Sequence, residues 1–198
     1  MTKVVLIGAS GQAGSRILKE LSDRGHTVTG IARNPEKIAA LRGVTAKKGD
    51  VFDKDGLVAL IRGHDAVISA VHFSASDAAT LIDAVRAAGV KRYLIVGGAG
   101  SLYVAPGKRL IDTPEFPEIY RAEAQKGADF LDLLKPVDDL DWTFLSPSAL
   151  FIPGERTGTA GPAGKIRGRE GAAHRADRGR QERGRDQLLG LDLPAGNQ

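Results

Sequence analysis

A doubly wound α/β fold, with a mostly parallel six-stranded sheet and helices on both faces, is the architecture this sequence predicts. Three observations predict it. Short apolar, β-branched runs recur along the first three quarters of the chain. Stretches with helical spacing separate them. Glycine, or an Asn or Asp with capping chemistry, stands at the junctions. Strand and helix in strict alternation imply right-handed crossovers and a sheet buried on both sides.

Each element has its own warrant. Lys3–Gly8 (KVVLIG) is a continuous apolar run of the kind a buried parallel strand needs. Gly11–Arg24 places Ala13, Ile17, Leu18 and Leu21 on one helical face, and Gly25 ends it. Thr27–Ala32 is a second strand. Asn34-Pro35 starts a short helix to Leu41, with proline in its first turn. Val44–Gly49 is the third strand, and Asp53 caps a helix over Lys54–Ile61. Asp65–Ala70 is the fourth strand. Ser76 or Asp77 opens a helix to Ala88, stopped by Gly89. Lys91–Gly97 is the fifth strand. A loop from Gly98 to Pro117 is longer than a mere connection needs, and such loops are usually functional. A helix over Glu118–Leu134 and a sixth strand, Asp141–Leu145, complete the pattern.

Composition narrows the class. A chain of 198 residues fits one domain with an appendage. No apolar run reaches the roughly 18 residues that suggest a membrane span. The opening MTKVVLIGAS lacks signal-peptide anatomy, so a cytoplasmic protein is expected. The sequence contains no cysteine, which removes disulfides, thiol nucleophiles and Cys-ligated metal sites; no metal site is expected. The net charge of +4 is unevenly spread. Nine Lys/Arg and six Asp/Glu fall from Glu155 onward, leaving 19 and 18 before it. The body is nearly neutral and carries no nucleic-acid footprint. The expected division is therefore a folded domain over residues 1–157 and a basic Gly/Arg/Ala-rich tail over 158–198. Apart from Ile166, the tail confines its large aliphatics to Leu188–Leu193, too few to offset the entropy of ordering, so it is expected to be disordered.

The chemistry concentrates at the first strand–helix junction. Gly8-Ala9-Ser10-Gly11-Gln12-Ala13-Gly14 is a G-x-x-G-x-x-G segment in the place where Rossmann-type folds bind a dinucleotide. Gly8 makes the tight turn, Gly11 admits the pyrophosphate to the backbone, and Gly14 lets helix and strand approach. The helix start offers free N–H groups and the positive end of its dipole. The second strand ends at Ala32-Arg33 without the acidic residue that holds the ribose of NAD; a guanidinium there suits the 2′-phosphate of NADP(H), with NAD(H) second. A solvated arginine is the plainer alternative. Asp50 and Val51 lie where an adenine edge is expected. Ser69, Ala70 and Val71 end the fourth strand with small side chains. Gly97 and Gly98 end the fifth beside the expected nicotinamide, and Pro147 follows the sixth. Taken singly, each of these later segments is equally a simple turn.

With those residues in view, the sequence resembles the atypical short-chain dehydrogenase/reductases. It is most similar to the group known as NADH-flavin reductases or NAD(P)H-binding proteins, and also to biliverdin reductase B and NmrA-like proteins. The resemblance rests on GASGQAG (Gly8–Gly14), RNPEK (Arg33–Lys37), KGDVFD (Lys48–Asp53) and DAVISA (Asp65–Ala70). It continues through GVKRYLIVGGAGSL (Gly89–Leu102), DTPEFP (Asp112–Pro117) and DLDWTFLSPSALFIPGERTG (Asp139–Gly158). It stops at Gly158. The composition beyond is that of GC-rich coding DNA read out of frame, and a natural basic tail is the other explanation.

The resemblance implies hydride transfer from NADPH. Conventional members use Tyr-x-x-x-Lys with a serine, the tyrosine being the acid. Here Tyr120 is followed at the lysine position by Ala124, and Lys126 is two residues too late for that helical face. A flavin acceptor needs no such acid, because its ring takes hydride on nitrogen and catalysis reduces to stacking two planar rings. Candidate catalytic or slot residues are His72, Ser101 and Tyr120, with Phe73, Leu102, Pro147 and Ser148 as walls. The other reading is a non-catalytic NADP(H) sensor of NmrA type. A small planar molecule is the expected partner, with neither membrane nor nucleic acid indicated.

Overall fold

In the computed structural model, residues 1–148, 151 and the backbone of 164–167 are described. The six expected strands form one parallel sheet. They are β1 (Lys3–Ile7), β2 (Thr27–Ala32), β3 (Val44–Lys48), β4 (Ala66–Ser69), β5 (Arg92–Val96) and, after a small hairpin of β6 (Tyr103–Ala105) and β7 (Lys108–Arg109), β8 (Asp141–Ser146). A further strand, β9 (Gly164–Arg167), pairs antiparallel with β8, giving the order β3-β2-β1-β4-β5-β8-β9. The chain moves outward from β1 in one direction and then in the other. The crevice between β1 and β4 is thus the switch point where open α/β sheets bind ligands.

Helix α1 (Gln12–Asp23) covers one face. Its buried Ile17, Leu18 and Leu21 pack on Val4, Leu6, Val28 and Ile68. Helices α2 (Lys54–Ile61), α3 (Ala78–Ala87) and α4 (Glu118–Leu134) cover the other, where Leu57, Leu81, Phe130 and Leu134 join Val5, Ile7, Val67 and Trp142. Alternate strand residues feed the two clusters, as period-two geometry requires. The predicted caps form: an Asp53 carboxylate oxygen accepts the Gly56 N–H at 3.0 Å, and one of Asp77 accepts that of Thr80 at 2.7 Å.

Three expectations need correction. The helix expected from Asn34 to Leu41 is only a 3-10 turn over Pro35–Lys37. The chain leaves it because Ile38 turns extended and buries against Gly30, whose missing side chain makes the room. The sheet has a seventh strand. That strand lies beyond residue 158, so the sheet crosses the expected domain boundary. Ladder pairing uses backbone groups, which a segment poor in apolar side chains still possesses. The remainder of the expected tail lies outside the described residues.

The long loop is built rather than slack. It contains 3-10 turns over Ala99–Ser101 and Leu110–Asp112 flanking the β6–β7 hairpin. Arg121 on α4 ties it down, donating to the Ile111 carbonyl at 2.8 Å and the Phe116 carbonyl at 3.2 Å. Its guanidinium also lies 5.6 Å from the centre of the Phe116 ring, at cation–π range.

Candidate functional site

The carboxyl ends of the strands bring the predicted segments to one edge of the sheet. Arg33 follows β2, Asp50 and Val51 follow β3, and the glycine turn follows β1. Ala70–His72 follow β4, Gly97–Ser101 follow β5, and Pro147 follows β8.

The glycine turn is held by main chain. The Gly8 and Ala9 N–H groups donate to the Ile31 carbonyl at 2.9 and 3.2 Å, and the Gly11 N–H donates to the Gly8 carbonyl at 3.0 Å. Gly8 has φ +86°, a conformation that glycine alone adopts without strain. Its missing side chain also leaves space for the Ala70 carbonyl and for Val71. At Gly14 a β-carbon would collide with the Gly8 carbonyl, 2.8 Å from its carbon and 3.2 Å from Ala9 Cα. That glycine therefore sets the close approach of α1 to the turn. At Gly11 the space is freer: a β-carbon would meet only the Gly8 carbonyl at 3.3 Å and the Ala70 carbonyl at 3.8 Å. Gly11 is also the N-cap of α1, with no side-chain cap and no acidic residue in the first helical turn. Ser10, Gly11 and Gln12 are exposed and Ala13 is half-buried. An uncapped, acid-free helix start beside an open glycine is a fit for a pyrophosphate.

Around this turn the other predicted residues differ in what they present. Arg33 is exposed just past β2. Asp50 is exposed, and its carboxylate accepts the Phe52 N–H at 3.0 Å, while Val51 packs on the core. Ala70 donates its N–H to Ile7. Ser69 is buried and shares a hydrogen bond with the Tyr93 hydroxyl at 3.1 Å, so its side chain points into the core. Burial drives the Tyr93 hydroxyl's pKa upward, and the Ser69 bond only partly offsets this, so the pair stays neutral. Gly97 packs directly on the Phe144 ring, which leaves no room for a side chain there. Gly98 is half-buried, and Pro147 sits half-buried at the far end of the row.

Of the catalytic candidates, Ser101 is 3% exposed. Its hydroxyl donates to the Gly98 carbonyl at 3.1 Å, so the 3.0 Å bond with Ser146 is one in which Ser146 donates. The side chain is committed to holding the turn after β5. Tyr120, in the first turn of α4, is 62% exposed. One helical turn on, Ala124 packs where Gly100 makes room for it.

His72 stands at the exposed end of the β4 loop, with Nδ1 3.4 Å from Glu123 of α4. Sequence reasoning missed Glu123. Its carboxylate accepts the Phe73 N–H at 2.7 Å and the Ser74 N–H at 2.8 Å, locking the β4 loop to α4. Burial pushes this carboxyl upward, but the hydrogen bonds from Ser74 and Phe73, together with His72, outweigh it and hold it below its ordinary value. The contact joins residues fifty positions apart, and nothing local in the sequence announces it. Behind it Phe73 stacks on Phe144, with centroids 6.2 Å apart and planes at 18°, and meets Phe130 edge-on. Among the described residues no cluster could hold a metal ion, and no helix is long and apolar enough to cross a membrane.

This fold and turn define a nucleotide-binding class, and comparison with known proteins identifies the family. Residues 8–177 match the family model described as NAD(P)H-binding, and the chain belongs to that family. The match runs well past Gly158, where the sequence reading had ended the resemblance. YwnB of Bacillus subtilis, an uncharacterized protein, is 44% identical over 167 residues, covering 79% of this chain and 77% of its own. Among solved structures, a proposed exported protein of Burkholderia pseudomallei is 47% identical with a TM-score of 0.71, over 80% of this chain and 78% of that one. A proposed epimerase of Bacteroides thetaiotaomicron is 43% identical with a TM-score of 0.75, over 80% and 76%. A proposed NADH-flavin reductase of Streptococcus pneumoniae is 42% identical with a TM-score of 0.63, over 80% and 78%. Their descriptions diverge on the reaction.

Proposed function

We propose that the protein is an NADPH-dependent oxidoreductase that delivers hydride to a flavin or similar planar acceptor. The observation that carries this reading is the glycine turn: an open Gly11 at an uncapped helix start, framed by the β1–β4 crevice. Gly8–Gly14 would hold the pyrophosphate through backbone N–H groups, and Arg33 would grip the 2′-phosphate with a charge-assisted contact. Asp50, Val51, Ala70 and Val71 would flank the adenosine half, and Gly97, Gly98 and Pro147 the nicotinamide half. NAD(H) is the second-choice cofactor.

When bound, the dinucleotide supplies hydride. The chain's own part is to position and to exclude. The aromatic group of Phe73, Phe130 and Phe144 is buried behind the loop that carries His72, giving that loop a rigid base. The Tyr–Lys acid pair is absent, with Ala124 at the lysine position, which fits an acceptor that takes hydride on nitrogen. Similarity to a proposed NADH-flavin reductase supports the same choice. NADPH is regenerated in the cytoplasm, and we place the protein there.

Two observations favour a second reading, an NADP(H) sensor without turnover: Ser101 is sealed by its own hydrogen bonds and Tyr120 lacks a lysine. NADPH oxidation measured with a panel of flavins and quinones tests both. Turnover with any of them supports the reductase. Tight NADPH binding with no turnover supports the sensor, and no NADPH binding overturns both.

A further inference from the structure

We propose that Glu123 is a positioning residue that holds His72 as a proton donor just past the end of β4, and that the acceptor is therefore a compound left anionic on oxygen by hydride addition. Quinones have this chemistry. The inference rests on the reductase reading above.

Three polar side chains are candidates for the donor: Ser101, Tyr120 and His72. Ser101 donates its proton to Gly98 and accepts from Ser146, so it has none to give. Tyr120 has alanine, not lysine, one turn along its helix, so the Tyr–Lys pair of a conventional tyrosine acid is missing. His72 differs from both. Its side chain is 86% exposed, and Nδ1 lies 3.4 Å from a carboxylate, within ion-pair range, so Nε2 is the ring nitrogen left for an acceptor. Glu123 is itself fixed: its two oxygens are anchored by the Phe73 and Ser74 N–H groups, directly after His72 in the chain. Loop and carboxylate are thus tied together. The carboxyl is held below its ordinary value, so it is ionised at neutral pH and acts only as an acceptor toward Nδ1.

The step balances. Hydride carries two electrons to the quinone, forming an O–H or C–H bond and leaving a negative charge on oxygen. In the doubly protonated form of His72 the Nε2–H bond breaks and its proton neutralises that charge. Neutral His72 keeps its remaining proton on Nδ1, toward Glu123, so Nε2 is free to take the next proton from water. An unfixed imidazole favours the opposite tautomer, with the proton on Nε2, and would return to that form between turnovers.

Glu123 also holds the β4 loop, so a loss of activity in a variant would not separate positioning from loop anchoring. The tautomer separates them. Protein labelled with ¹⁵N-histidine, studied at about pH 8 by long-range ¹H–¹⁵N correlation, reads it directly. The chain has four histidines, and His72→Asn assigns the signal. We expect wild-type His72 to carry its proton on Nδ1. In Glu123→Gln the single amide oxygen is claimed by the Phe73 or Ser74 N–H, so His72 should revert to the Nε2–H form. Turnover with a quinone should fall at least tenfold in both variants, with KM for NADPH changed less than about threefold. Wild-type His72 protonated on Nε2 overturns the proposal without any variant, whether or not Glu123→Gln folds. An unchanged tautomer in a folded Glu123→Gln also overturns it. If wild type shows the Nδ1–H form but oxidises NADPH with no acceptor, the reductase reading and the proton-donor role fall, and only the positioning contact stands.

Discussion

The two glycines that open α1 should fail in different ways when given side chains, and the difference tests the reading of the turn. At Gly14 an added methyl meets backbone that cannot swing aside: the Gly8 carbonyl, with its carbon at 2.8 Å, and Ala9 Cα at 3.2 Å. Overpacking costs about 1–3 kcal/mol, and contact with main chain puts Gly14→Ala near the upper end. Alanine returns about 0.5–1 kcal/mol of helix preference. The net is a destabilisation of about 2 kcal/mol, or roughly 4–8 °C in Tm for a domain of this size. Gly11→Val should behave oppositely. Its β-carbon meets the Gly8 carbonyl at 3.3 Å, and the backbone there, φ −75° and ψ 172°, accepts a β-branched residue. The expected cost is that of a poorer N-cap plus a shift of a few tenths of an ångström at the Gly8 carbonyl, about 1–2 kcal/mol. NADPH affinity should nevertheless fall at least about tenfold, because the branched side chain occupies the space assigned to the pyrophosphate. Thermal melts with and without NADPH separate the two variants. A Gly14→Ala protein that melts within about 1 °C of wild type would show the close-approach argument to be wrong. A folded Gly11→Val protein with undiminished NADPH affinity would refute the phosphate turn.

Four further outcomes are expected. Arg33→Ala should weaken NADPH about tenfold or more while leaving NADH nearly unchanged, as losing a charge-assisted contact costs about 1.5–3 kcal/mol; equal losses in a binding titration count against 2′-phosphate recognition. Tyr120→Phe should lower turnover with a flavin less than about tenfold, since a general acid is worth about 10²–10⁴-fold; a loss in that range reinstates a tyrosine mechanism. The depressed carboxyl of Glu123 contributes stability that is present above its unfolded-state value and lost as pH falls through its folded-state value. The Tm gap between wild type and Glu123→Gln should therefore be widest near neutrality and close in acid; a gap independent of pH contradicts the assignment. Truncation after residue 163 removes the partner of β8 along four register pairs and should cost about 2–4 kcal/mol in a chemical melt, at about 1 kcal/mol per hydrogen bond. An unchanged midpoint would show that β9 is marginal.

What the sequence discloses and what it withholds follow a physical line. Features written into adjacent residues were legible. The Asp53 and Asp77 caps, the span of α4 and the φ reversal at Gly8 depend on positions within a turn or two of each other. Features that depend on the far side of the chain were not. Ile38 abandons a helical turn because Gly30 offers it a place in the core. Ser101 is sealed by Ser146, forty-five residues away, and no local pattern distinguishes it from an exposed nucleophile. Glu123 reads as one more charge on an amphipathic helix until the β4 loop is brought against it. Side-chain composition alone predicts a disordered tail, but the Gly164–Arg167 strand joins through its backbone, which composition does not report.

The main-chain construction of the glycine turn has a practical corollary. Its bonds run from the Gly8, Ala9 and Gly11 N–H groups to backbone carbonyls, so the cradle's shape is independent of what Ser10, Gln12 or Arg33 carry. On the proposed reading, in which the turn holds the pyrophosphate and Arg33 the 2′-phosphate, cradle and reader are separable modules. A redesign that exchanges the Arg33 guanidinium for a carboxylate, to prefer a ribose hydroxyl over a phosphate, can therefore be made without rebuilding the turn.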